Sequence, residues 1–105
     1  MIDPKESRSY VDAASDWLAY AIEAHVAIAE VLVKRKITEA DLSTAIVAYD
    51  DMRHAADAAK RIVFPMSDST HDPSRAHLRI AIQAMVSSSV DMLEQIKRRN
   101  KLENR

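Results

Sequence analysis

Apolar residues recur along this chain at alternating steps of three and four, in three separate stretches. The first runs Val11, Ala14, Leu18, Ala21, His25, Ile28, Leu32. The second runs Leu42, Ala45, Tyr49, Met52, Ala56, Ala59, Val63, and the third Leu78, Ile82, Met85, Ser89, Met92, Ile96. Such steps stack side chains on one face of a 3.6-residue helix. The β-branched residues fall on these faces rather than in alternation, which leaves no strand. Three seams of this kind pack as near-antiparallel helices.

Punctuation agrees. Asp3-Pro4 followed by Glu6 reads as an N-cap, a first-turn proline and a capping-box partner. Thr38 with Asp41 is a weaker box, in which Ile37 packs on Leu42 as a hydrophobic staple. Asp72-Pro73 repeats the first signal. Lys34-Arg35-Lys36 closes the first segment with cations suited to a helix carboxyl end, and Pro65 stops the second after Phe64. The spacing predicts helices over 4–36, 39–64 and 73–101, with a loop at 65–72. The expectation is a single all-α domain spanning 1–105, an up-down-up bundle of three long helices completed by a second chain.

Composition narrows the chemistry. The chain has 105 residues with no glycine and no cysteine. Without glycine there is no Walker-type loop or dinucleotide fingerprint, since both need backbone close to phosphate. Without cysteine there is no thiol nucleophile, disulfide or thiolate-held zinc. Of 50 apolar residues, 17 are alanine. Six of these lie between Ala45 and Ala59, letting the second helix approach its neighbours closely. The amino terminus lacks a signal-peptide pattern. The most apolar run, 24–33, holds His25 and Glu30 and is too short to span a bilayer. A cytoplasmic protein is expected. Net charge is -1, so nothing draws the whole molecule to nucleic acid or membrane.

The first helix has more apolar circumference than two partners can cover. Its polar stripe is only Asp12, Asp16, Glu23, Glu30 and Lys34. Tyr10, Trp17, Ala24 and Val31 on one flank, and Ile22, Val26, Ala29 and Val33 on the other, widen the apolar arc to about 200°. Exposed apolar surface of that extent marks an interaction site. Tyr10, Trp17, Ile22, Ala24, Val26 and Val31, with Ile80 on the third helix, are therefore the expected contacts with a second copy or another protein.

Two seam positions are polar, His25 and Ser89. Folding the chain about Ile37 and again near Asp68 brings His25, Tyr49 and Ser88 or Ser89 to one level. A buried imidazole, phenol and hydroxyl must bond one another or cost about 1–3 kcal/mol each. They either fix helix register or line a small-molecule pocket.

Parallel first and third helices would gather Lys34, Arg35, Lys36, Lys97, Arg98, Arg99, Lys101 and Arg105 at one end, eight of fifteen basic residues. Helix dipoles and i,i+4 pairs account for cations there. A patch for phosphate or an acidic partner is the functional alternative. Asp51 and His54 lie three apart on the polar face of the second helix, without the two inward Glu-x-x-His pairs of a di-iron bundle; the loop trio Asp68, His71 and Asp72 with His77 could hold a weak cation but reads first as caps and turns, so no metal site is expected. Ser87-Ser88-Ser89 lacks the strained elbow of a hydrolase nucleophile. No catalytic residue, metal or cofactor is expected. The chain reads as a homodimeric interaction module binding another protein. A nucleic-acid accessory protein using the basic end, and a ligand-binding bundle or enzyme using the polar layer, are the alternatives.

Overall fold

A computed structural model describes the backbone of residues 4–63 and 73–103, and side chains over 12–63 and 76–103. It contains three α-helices: α1 (Pro4–Leu32), α2 (Glu39–Val63) and α3 (Pro73–Glu103). They form a rod of 60 × 18 × 17 Å. A cross-section under two helix diameters leaves every helix with an outer face. Prolines open α1 and α3, where a missing N–H costs nothing.

Every seam position with a described side chain is buried or half-buried. The core falls into two blocks. One holds Leu18, Ala21, Met52, Ala55, Ala56, Ala59, Ile82 and Met85. The other, nearer the α1–α2 turn, holds Ile28, Val31, Ile37, Ala45, Ala48, Leu93 and Ile96. Ile28, Ile37, Met52, Ile82 and Ile96 are fully buried, each contributing about 1.5–3 kcal/mol. Five of the seven buried residues of α2 are alanine. Their small side chains let α1 and α2 lie close, and this pair makes the most extensive contact of the three.

The α1–α2 turn shows how a helix ends without glycine. α1 stops at Leu32, four residues earlier than its sequence predicts. Lys34 N–H donates to the Val31 carbonyl at 3.1 Å, a three-residue step that tightens the chain out of the helix. Among the described residues none takes a positive φ, so no left-handed cap closes α1. α3 supplies the cap from outside. The Arg99 guanidinium donates to the carbonyls of Leu32 (2.6 Å), Lys34 (2.7 Å) and Arg35 (3.3 Å). Asn100 Nδ2 donates to the Ile37 carbonyl at 3.1 Å, and Ile37 N–H donates to Glu103 Oε2 at 2.6 Å. Three residues near the end of α3 thus hold the turn between the other two helices.

α2 opens on the expected box. Asp41 N–H donates to Thr38 Oγ1 at 3.1 Å, while Thr38 N–H donates back to Asp41 Oδ2 at 3.0 Å. Lys34 Nζ reaches Asp41 Oδ1 at 2.6 Å. The Lys34 ammonium, then the Thr38 N–H and hydroxyl, hold the Asp41 carboxyl down to about 2, against some burial that opposes it. Asp3, Phe64, the 65–72 loop and the Asp72 cap lie outside the described residues.

Candidate interaction surface

α1 carries two parallel seams, and only one faces the core. The second, one residue on from the first, is Ala19, Ile22, Val26, Ala29, Val33, again in steps of three and four. Ile22 and Val26 are each 46% exposed and Val33 81%. Ala19 is exposed and Ala29 is half-buried. Val33 lies just past α1, but its N–H still bonds the Ala29 carbonyl at 3.2 Å, so the seam stays continuous. At 1.5 Å per residue the apolar row is about 21 Å long. One step of four before Ala19 stands Ser15, exposed, small and uncharged, on the midline of the same face. Along the outer edge of the row run Asp12, Asp16, Glu23 and Glu30, all exposed. Among the described residues the single cation of that polar stripe, Lys34, is occupied by Asp41.

The opposite flank of α1 behaves differently. Val31 is only 3% exposed, a correction to its expected place on an outer surface. It belongs to the core block that also holds Ile28, Ile37, Ala45, Ala48, Leu93 and Ile96. Ala24 is half-buried against the other core block, and so is withdrawn from the surface in part. Trp17 remains 44% exposed, its ring 6.0 Å from that of Tyr20 at 52°. The two rings, with Glu23, Ala24, Asp51, His54 and Ala55, line an open groove of about 430 Å³ between α1 and α2. His54 Nδ1–H donates to the Asp50 carbonyl at 2.8 Å, which fixes that ring beside the groove. Ile80 is exposed on α3. The Tyr10 side chain lies outside the described residues.

In the polar layer, His25 Nδ1 and Ser89 Oγ share a hydrogen bond of 2.7 Å. Ser89 is fully buried and His25 half-buried. Tyr49 sits at the junction and packs against both core blocks. Ser88 corrects the expectation: one residue on a helix is a turn of about 100°, and it is exposed. The imidazole Nδ1 and the Ser89 hydroxyl satisfy each other.

At the basic end α1 and α3 do converge, as the Arg99 contacts require. The convergence also consumes charge. Arg99 is turned inward onto backbone carbonyls and onto Glu103 Oε1 at 3.2 Å, so it corrects the expectation of a free cation. Lys34 is held by Asp41. Arg35, Lys36, Lys97, Arg98 and Lys101 are exposed; Arg105 lies outside the described residues. The Glu103 carboxyl is held below its ordinary range, first by the Ile37 N–H and then, against some burial, by Arg99.

Among the described residues no helix is long and apolar enough to cross a membrane. None of them form a group of three or more His, Asp or Glu able to hold a metal ion. The Arg99 cap and the second α1 seam were not anticipated as such. The seam was legible as the Ile22, Val26, Ala29, Val33 flank, and its repeat extends back through Ala19. Compared with protein-family models, curated proteins and solved structures, the chain matches none, and its function has to be read from its own side chains.

Proposed function

We propose that this chain is a non-enzymatic helical interaction module that docks another protein molecule along the second seam of α1. The observation that supports this is the uncharged, largely exposed repeat Ala19, Ile22, Val26, Ala29, Val33 on a helix whose other seam already fills the core. Scattered apolar residues on a surface are ordinary. A row of them at coiled-coil spacing over about four turns is the shape of a helix-docking site. Homodimerisation through α1 would use this same seam, as would a helix of a different protein. The His25–Ser89 pair fits a structural role, because its two polar groups bond each other.

The test compares wild type with an Ile22→Ser/Val26→Ser double variant, checked for helicity. Sedimentation reads self-association, and immobilised protein challenged with lysate reads capture of another protein. Wild type is expected to do one of the two and the folded variant neither. A monomeric wild type that captures nothing, or a folded variant that assembles unchanged, overturns the proposal.

A further inference from the structure

We infer that the occupant of the second α1 seam is a cationic amphipathic helix of another protein. This rests on the seam being a docking surface and adds the chemistry of what docks. The spacing argues for a helix: steps of three and four are met by a partner with the same repeat, knobs into holes. Ala19 and Ala29 leave room for bulky side chains opposite, with smaller ones facing Ile22 and Val26. Ser15 adds one more small position at the amino-terminal end of the row.

Charge argues for a cation. Asp12, Asp16, Glu23 and Glu30 stand one residue's rotation or less off the seam, all on the same flank, where such positions face a docked helix. Among the described residues the one cation of the stripe, Lys34, is bound to Asp41 at 2.6 Å, so the carboxylates of Asp16, Glu23 and Glu30 are left for a partner to meet. A partner rich in Lys or Arg beside its apolar face satisfies them. Exposed Arg35 and Lys36 at the carboxyl end of the seam set its direction, since a basic residue there would be repelled. A second copy fits less well. Antiparallel two-fold pairing sets each flank against the same flank of the other copy. Centred on Val26, it brings Glu23 of one copy beside Glu30 of the other, twice over, and like charges so placed repel. Parallel pairing stacks Ala19 on Ala19 and Ile22 on Ile22, so that thin and thick layers follow one another and leave gaps.

The experiment uses two labelled synthetic helices with one Leu/Ala seam, flanked by Lys in one and by Glu in the other. Each is titrated by fluorescence anisotropy against the full chain, at low and high salt. The Lys helix is expected to bind at least about tenfold more tightly than the Glu helix, with the preference shrinking as salt screens it. An Asp16→Asn/Glu23→Gln/Glu30→Gln variant should lose about tenfold for the Lys helix and gain for the Glu helix. The Ile22→Ser/Val26→Ser variant should lose both. Equal binding of the two helices, or an unchanged affinity in the carboxylate variant, overturns the cationic partner and leaves the docking surface standing. So does sedimentation of a wild-type dimer that the seam variant dissociates. If neither helix binds and the protein is monomeric, or if binding survives the seam variant, the docking surface itself fails.

Discussion

Replacing Arg99 with methionine should loosen the whole bundle from one end. The guanidinium is the carboxyl cap of α1, reaching the Leu32 carbonyl at 2.6 Å and the Lys34 carbonyl at 2.7 Å. Its side chain is 32% exposed, so the bonds are not equal. The one to Leu32 is partly buried, and hydrogen bonds to charged groups contribute about 1.5–3 kcal/mol. The bonds to Lys34, Arg35 and Glu103 face solvent, where such contacts are worth about 0–1 kcal/mol each. Methionine keeps the apolar stem, so the loss reports the fork. Together these give a destabilisation of about 2 kcal/mol, or roughly 8–16 °C in Tm for a domain of this size. Thermal and urea unfolding followed by far-ultraviolet circular dichroism reads it. Arg99→Lys should recover less than half, because a single ammonium cannot span two carbonyls in a planar fork. If Arg99→Met costs under about 0.5 kcal/mol, within the range of an ordinary surface change, water caps α1 as well as Arg99 does and the account of the glycine-free turn is wrong.

Three further outcomes are expected. Ser89→Ala and His25→Leu should each destabilise by about 1 kcal/mol or more, while the double variant lies closer to wild type than their sum, because both polar partners are then gone; additive losses in a urea-unfolding cycle would deny the His25–Ser89 bond. Acid should weaken the fold as pH falls through the ordinary carboxylate range toward about 2. Asp41 and Glu103 both sit below their ordinary values when folded, so the unfolded chain takes up protons first and the stability they supply is complete only above that range; Asp41→Asn should flatten the urea midpoint against pH, and an unchanged slope would refute it. Ala56→Leu, at 1% exposure in a core block shared by all three helices, should cost about 1–3 kcal/mol by overpacking it, with a neutral effect showing that the block is looser than its alanines imply.

Ile37, Thr38 and Asp41 illustrate what local sequence could settle. A cap, its reciprocal partner and a staple lie within six residues, and the two bonds of the box close between Thr38 and Asp41 themselves. The three core seams are likewise local, since a repeat of three and four points one face inward wherever the helix ends up. Even the level of His25 with Ser89 followed from counting residues outward from the turns. Arg99 is the opposite case. Nothing near it in sequence distinguishes it from Arg98, yet one is exposed and the other is bound to carbonyls more than 60 residues away.

The amino-acid order alone thus determined three helices, the face each turns inward, and an excess of apolar surface on α1. It could not say which flank of α1 would be covered. Periodicity orients one helix about its own axis, but where the third helix lies relative to the first two depends on the handedness of the bundle, and that is decided only when all three pack. In this fold Val31 was drawn into the block of Ile28, Ile37, Ala45, Ala48, Leu93 and Ile96, and Ile22, Val26 and Val33 were left facing outward.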